Sequence, residues 1–153
     1  MIFGRLAWIA GVACIAAAVA VQLVPVERTN PPSLGTLAAP PEIEATLKRA
    51  CYDCHSSATR WPWYSHVAPV SWLVVRDVNL GRKEVNFSAW GRYYPVTRRR
   101  KLEWIGRALR DGKMPPWNYR LMHPDARLTA ADQAALEQWV EAALATPSTE
   151  RSK

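Results

Sequence analysis

Cysteine and histidine are scarce in this 153-residue chain, which has three of each. Only Cys51 and Cys54 lie outside the apolar N-terminal stretch. Two residues separate them, so a disulfide between them would constrain very little of the chain. A small domain held together by disulfides is therefore excluded. The sequence also lacks a convincing strand pattern and an internal repeat. It shows no paired nucleophile and general base, so we expect an electron carrier rather than a catalyst.

Charge is nearly absent from the first 26 residues, of which 21 are hydrophobic. As a helix, the apolar run from Leu6 to Val26 would extend about 31 Å, which is enough to cross a bilayer core. Arg5 precedes the run and predicts that its near end stays cytoplasmic while the body is exported. Ala18-Val19-Ala20 also fits a signal-peptidase site, but the apolar run continues beyond it, which favours an uncleaved anchor.

Composition divides the chain into four regions. We expect an anchor or signal segment at 1–26, a proline-rich tether at 27–41, a folded domain at 42–145 and a polar tail at 146–153. The 127 residues after position 26 include 54 hydrophobic ones. This is enough to bury a core, so a wholly disordered chain is excluded.

Apolar periodicity predicts four helices in the body, and therefore an all-α fold. They run from Glu42 to about Tyr52, from Val70 to about Leu80 with Gly81 as its end, from Arg98 to Asp111 between Thr97 and Gly112, and from Thr129 to Leu144. Thr129 and Asp132 predict a capping box at the start of the last helix.

The pentad Cys51-Tyr52-Asp53-Cys54-His55 has the C-x-x-C-H pattern of c-type haem attachment. Residues three apart share one face of a helical turn, so both thiols can reach the two vinyl groups of one porphyrin. The next residue then directs an imidazole at the iron. A redox-active cysteine pair, or a zinc site that includes His66 or His123, is the alternative. Asp53 is expected to be a solvated spacer.

Met114 is the expected sixth ligand of the iron. It lies in Lys113-Met114-Pro115-Pro116-Trp117, where each proline fixes its own φ and the first also restricts Met114. Such a stiff segment presents a thioether at a fixed distance. Met122, His123, His66 and an iron without a sixth ligand remain alternatives, as does a packing role for Met114.

Further motifs follow the pentad: Ser56, Thr59–Ser65, Ala68–Trp72, Asn86–Trp90, Met114–Trp117 and His123-Pro124. With them, the stretch from about Glu42 to Leu144 resembles the bacterial haem-binding domain family of single-haem proteins. The resemblance implies a small cytochrome c-like helical domain with one covalent haem c per chain, in an exported and often membrane-anchored protein. The family's Met-Pro-Pro corresponds to Met114-Pro115-Pro116.

Positive charge is concentrated in residues 92–113, which carry eight basic and two acidic side chains in a chain of net charge +7. Around Arg98-Arg99-Arg100-Lys101 we expect a docking face for an acidic redox partner. Anionic lipid head groups at the outer leaflet, or simply a solvated first turn of the helix, are the alternatives. Nucleic acid is not an expected partner, because the body lies outside the cytoplasm.

These observations predict a membrane-anchored, single-haem c-type cytochrome that carries single electrons between periplasmic or membrane redox partners. Cys51 and Cys54 would be the thioether anchors, and His55 and Met114 the iron ligands. The expected location is the bacterial inner membrane, single-pass, with the haem domain in the periplasm, or the periplasm itself if the N-terminus is cleaved. The alternatives are a haem-based sensor or small-ligand binder, and a peroxidase-type accessory protein.

Overall fold

The computed structural model describes residues 2–146. Within this range the chain forms seven α-helices and no strand, which confirms the all-α prediction. The helices are α1 (Ile2–Gln22), α2 (Pro41–Ala50), α3 (Tyr52–His55), α4 (Val70–Glu84), α5 (Pro95–Arg110), α6 (Trp117–Met122) and α7 (Ala130–Ala145). Short 3-10 turns cover Trp63–His66, Phe87–Arg92 and Pro124–Ala126. The tail predicted at 146–153 lies, from residue 147 onward, outside the described residues.

Three predicted helix boundaries need correction. The first predicted helix is interrupted at Cys51, where φ is −127°, so that α3 begins a new turn. The second continues through Gly81 to Glu84. The third begins at Pro95, before Thr97, because a proline at the first helical position has its φ already set and lacks an N–H that would have no partner there.

The predicted capping box at the start of α7 is confirmed. Thr129 Oγ1 accepts a hydrogen bond from the backbone N–H of Asp132 at 3.0 Å, and the Asp132 carboxylate accepts one from the backbone N–H of Thr129 at 2.9 Å. Two donors that the first turn of a helix leaves without partners are therefore satisfied.

The described residues form two compact units, and the first contains residues 2–29 and 61–77. Its two parts are joined by paired hydrogen bonds between the Gln22 side chain and the backbone of Ala68, at 3.0 and 3.1 Å. In this unit, Phe3–Gln22 is long and apolar enough to cross a membrane, with a mean hydropathy of 1.9 and exposed side chains.

The second unit contains residues 30–60 and 78–146. Its buried core is supplied by α2, α3, α5, α7 and the turn around Phe87, and consists of Leu37, Ile43, Leu47, Tyr52, Val85, Phe87, Trp90, Leu102, Leu109, Leu136 and Val140. α5 packs against α7 at Gly106, where an added Cβ would lie 3.2 Å from Val140 Cγ1. The core therefore lies directly under the α3 turn, which Tyr52 anchors.

Part of the segment predicted as a tether is packed in this second unit. The Leu37 backbone N–H donates to the Phe87 carbonyl at 2.9 Å, and the Leu37 side chain is buried. The Gly35 carbonyl accepts a hydrogen bond from Gly91 at 3.1 Å, with the two backbones so close that a Cβ on Gly35 would lie 2.9 Å from the Gly91 Cα. These residues therefore contribute to the fold of the second unit.

Candidate functional site

The α3 turn brings the two cysteines of the pentad together. The Cys51 carbonyl accepts hydrogen bonds from the backbone N–H groups of Cys54 at 3.2 Å and His55 at 2.9 Å. Both cysteines are half-buried thiols. Burial, and then the neighbouring Cys54, raise the pKa of Cys51 to about 12, so this thiol is protonated at neutral pH. Cys51 precedes α3 as its N-cap, and Cys54 lies within the turn.

His55 is oriented by two backbone carbonyls. Its Nδ1 lies 2.9 Å from the Gly81 oxygen and 3.1 Å from the Val85 oxygen. Because carbonyl oxygens only accept, Nδ1 carries the proton and Nε2 keeps its lone pair. Burial lowers the pKa of His55 against the opposing effect of these bonds, so the ring is neutral at neutral pH. A neutral imidazole held through Nδ1–H is the form that binds a metal through Nε2.

Gly81 is a site residue that sequence reasoning missed. A Cβ at this position would lie 2.5 Å from the Cys54 carbonyl oxygen and 3.1 Å from the Cys54 Cβ. Only glycine therefore allows α4 to approach the pentad closely enough for its carbonyls to reach His55. The available signal was a glycine within a helical pattern, which can mark close packing as well as a helix end.

Asp53 was predicted to be a solvated spacer, and this is wrong, since it is only 6% exposed. Its Oδ1 accepts hydrogen bonds from the Arg60 backbone N–H at 3.0 Å and Nε at 3.2 Å. Its Oδ2 accepts from Arg60 Nη2 at 3.0 Å and from the Tyr119 hydroxyl at 2.7 Å. Burial acts to raise the pKa of Asp53, but these bonds outweigh it and hold the pKa below its usual value.

Arg82, next to Gly81 on α4, secures the chain that leaves the pentad. Its Nε donates to the Ser56 carbonyl at 2.8 Å, and its Nη2 donates to Thr59 Oγ1 at 2.8 Å and to Asn30 Oδ1 at 2.9 Å. The planar guanidinium suits such divergent acceptors. Sequence reasoning did not identify Arg82, because the residues it joins are far apart in the chain.

Met114 lies in the bend between α5 and α6 and is 39% exposed. The bend begins at Gly112, whose φ is +63°. Gly112 N–H donates to the Leu109 carbonyl at 2.9 Å and Lys113 N–H to the Ala108 carbonyl at 3.1 Å, which is a Schellman ending of α5. This confirms the predicted helix end at Gly112 and fixes where the Met114 segment starts.

The alternative ligands occupy different places. Met122 ends α6 and is 50% exposed. The His123 ring stacks on the Tyr119 ring, with centroids 4.3 Å apart and planes 19° apart. His66 belongs to the first unit and is exposed. The structure thus brings Cys51, Cys54 and His55 together, and ties α6 to their turn through Tyr119.

The basic residues at 98–101 lie on α5. Arg98 donates to the Gly91 carbonyl at 3.4 Å, and Arg99 donates to the Leu144 carbonyl at 3.0 Å. Lys101 donates to the Glu84 carbonyl at the end of α4 and lies over the Tyr93 ring. Arg99 also pairs with Glu103, with Arg99 Nε 3.3 Å from the carboxylate, whereas the carbonyl contacts position the cations without cancelling their charge.

Two thiols and a neutral, oriented imidazole, close together in an all-α unit, are the kinds of group that a haem-binding protein uses to hold its cofactor. The model of the haem-binding domain family matches residues 16–142, and the chain belongs to this family. It is a haem-binding protein. The comparisons with curated proteins and with solved structures found no significant match.

Proposed function

We propose that this protein is a membrane-anchored c-type cytochrome that holds one haem covalently and passes single electrons between periplasmic or membrane redox partners. The observation that carries the proposal is the His55 Nδ1 contact with the Gly81 and Val85 carbonyls. It leaves Nε2 as the ligating atom, directly beside two thiols in the C-x-x-C-H spacing. Haem, when bound, supplies the one-electron couple of its iron.

Covalent attachment uses both thiols of the α3 turn. Each of Cys51 and Cys54 would add across one vinyl C=C bond of a bound haem, with sulfur bonding to one carbon and the thiol hydrogen passing to the other. Atoms and electrons balance without an oxidant or a reductant. Two thioether bonds retain the haem in a small domain whose buried core alone supplies limited binding surface.

Met114 completes the proposed ligation. Its segment begins at the Schellman ending of α5 and continues into two prolines, of which Pro115 is buried. None of the α6 residues is buried, and Trp117, Leu121 and Met122 are 72, 63 and 50% exposed. An apolar surface of this kind suits the face of a porphyrin. A thioether ligand from Met114 would favour the ferrous state of the iron and raise its reduction potential relative to ligation by two imidazoles.

The membrane assignment rests on α1. Its exposed, apolar length suits a bilayer core, and Arg5 near its start favours a cytoplasmic N-terminus with the haem unit on the far side. We therefore propose a single-pass protein of the bacterial inner membrane with its haem in the periplasm. The family resemblance supports the bacterial setting.

An acidic redox protein is the partner we propose, docking near Arg98–Lys101. Arg99 and Arg100 are exposed, as are the neighbouring Tyr94, Val96 and Trp104. Basic side chains around an apolar centre can steer an acidic partner and then release it.

The experiment that tests covalent attachment compares three cysteine variants of the purified protein. Cys51→Ser and Cys54→Ser should each remove one thioether, which shifts the α band of the pyridine haemochrome towards that of a haem with a free vinyl group. Cys14→Ser, in α1, is the matched control and should behave as wild type. Mass spectrometry of the denatured wild type should find one haem per chain, and loss of all haem on denaturation would refute the proposal.

A small-ligand binder remains the second candidate, favoured by the 39% exposure of Met114. The oxidised spectrum separates the two functions. Sulfur ligation predicts a weak long-wavelength sulfur-to-iron charge-transfer band that Met114→Ala abolishes and Met122→Ala leaves intact. Rapid carbon monoxide binding by the unmodified ferrous protein would instead support the ligand binder.

A further inference from the structure

The segment that carries Met114 is fixed at both ends, and its far end is fixed by the pentad itself. At the near end stands the Schellman turn at Gly112. At the far end, the Tyr119 hydroxyl donates to Asp53 Oδ2 at 2.7 Å. Asp53 lies between the two cysteines and two residues before His55. The α3 turn therefore carries both His55, the proposed iron ligand, and Asp53, which anchors the segment that carries Met114.

The Asp53 carboxylate is built for this connection. It is nearly withdrawn from solvent, with 8% of its side chain exposed, and Arg60 occupies it on one side through its backbone N–H, Nε and Nη2. Arg60 thus fixes the rotamer of the carboxylate and directs Oδ2 at α6. A hydrogen bond to a charged, buried acceptor is stronger than one between neutral groups.

Tyr119 transmits the position of Asp53 to the loop. It lies on the first turn of α6, five residues after Met114, and the intervening prolines leave the backbone little freedom. The Arg120 backbone N–H donates to the Pro116 carbonyl at 3.0 Å, which joins the end of the proline pair to α6. Any movement of Tyr119 away from Asp53 would therefore move Met114.

We infer that Asp53 and Tyr119 are positioning residues for the bond between the haem iron and the Met114 sulfur. Their hydrogen bond holds the Met114 segment at a fixed position relative to the turn that carries His55. The inference rests on the proposed function, because it takes Met114 as the sixth ligand. Neither residue touches the iron; both act through the chain that presents the sulfur.

The test is imidazole binding by the ferric holoprotein, since imidazole competes with Met114 for the iron. Tyr119→Phe removes the hydroxyl and keeps the ring that stacks on His123. We expect its apparent imidazole affinity to rise about tenfold or more, with a weakened charge-transfer band, because one charge-assisted hydrogen bond is lost. Asp53→Asn keeps an acceptor oxygen but loses the charge, so it should raise the apparent imidazole affinity by a smaller factor. This second variant tests the inference if Tyr119→Phe folds poorly.

Tyr93→Phe is the matched control. It also removes one phenol hydroxyl, which accepts a hydrogen bond from the Asn86 backbone N–H at 3.0 Å in the same unit. It should change the stability to unfolding without changing the imidazole affinity. Equal effects of Tyr119→Phe and Tyr93→Phe, or no effect of Tyr119→Phe, would overturn the inference while leaving Met114 as ligand. Absence of the charge-transfer band in wild type would refute the Met114 ligation and the inference together.

Discussion

The Nδ1 atom of His55 lies 2.9 Å from the carbonyl oxygen of Gly81. Together with the Val85 carbonyl 3.1 Å away, this contact connects the pentad to α4 and fixes the tautomer of the imidazole. It also accounts for a glycine near the C-terminal end of α4. The carbonyl reaches His55 only because position 81 has no side chain to meet the Cys54 backbone. The orientation of the His55 ring therefore depends on how α4 packs against the pentad.

Gly81→Ala should disturb the site without removing any ligand. Its Cβ would lie 2.5 Å from the Cys54 oxygen, so α4 and the pentad must separate. We expect a loss of about 1–3 kcal/mol in the free energy of unfolding and a perturbed haem spectrum. Asn79→Ala, at an exposed position of the same helix, is the control: it should leave the haem spectrum unchanged and should not lower the free energy of unfolding, since alanine is the better helix former. A Gly81→Ala protein as stable as wild type would contradict the packing described here.

Gly112→Ala should weaken the turn before Met114 for a backbone reason alone. The position has φ of +63° and open space around an added Cβ, so there is no clash. We expect a loss of about 1 kcal/mol from the left-handed conformation. Gly112→Asn should lose less, since asparagine tolerates this region better. Chemical denaturation of the two variants and wild type measures the difference, and the reverse order would exclude this account.

Thr129→Ala should destabilise the second unit by about 1 kcal/mol, because α7 loses its N-cap. Thermal unfolding at neutral pH measures this. The predicted effect is on stability alone, so the haem spectrum below the unfolding transition should be unchanged.

The same capping box predicts a pH dependence. The Thr129 backbone N–H lowers the pKa of Asp132 against the opposing effect of burial, with help from the Thr129 side chain and Arg49. The folded state therefore favours the ionised carboxylate. Its contribution is present above the unfolded pKa of about 4 and is lost as the pH falls through the lower folded pKa. Unfolding measured across this range should show less pH dependence in Asp132→Asn than in wild type, and an identical pH dependence would contradict this.

Arg100→Glu should change the reactivity of the haem towards charged redox probes. If electrons leave near Arg98–Lys101, oxidation of the ferrous protein by ferricyanide should slow about two- to fivefold at low ionic strength, while oxidation by a cationic cobalt complex should accelerate. Stopped-flow absorbance measures both rates. Arg127→Glu, an exposed arginine outside the patch, is the control. Equal effects of the two variants would show that only net charge matters and would refute the proposed docking face.

Helix ends and caps could be predicted where they depend on neighbouring residues. The Thr129–Asp132 capping box and the Gly112 ending were predicted correctly, since each is a local pattern within a few residues. The start of α5 was missed because Pro95 outweighs Thr97 as a helix start, and α6 was missed because six residues are too few for a periodic pattern.

The roles of Gly81 and Asp53 could not be predicted in this way. The partners of Asp53 include Tyr119, 66 residues away, and those of His55 include Gly81 and Val85, 26 and 30 residues away. Residue types alone describe Asp53 as a solvated spacer and Gly81 as a helix end. Only the packing of α4 and α6 against the α3 turn shows that Asp53 is a buried anchor for Tyr119 and that Gly81 is the point where α4 approaches Cys54 closely.

By itself, the sequence determined the C-x-x-C-H pattern of the pentad, the all-α class and the apolar N-terminal helix, because each depends on spacing or composition along the chain. Tertiary structure alone decided which nitrogen of His55 keeps a free lone pair and what holds the turn that carries this residue. The physical reason is that a tautomer and a buried carboxylate depend on hydrogen-bonding partners, and folding brings those partners from distant parts of the chain.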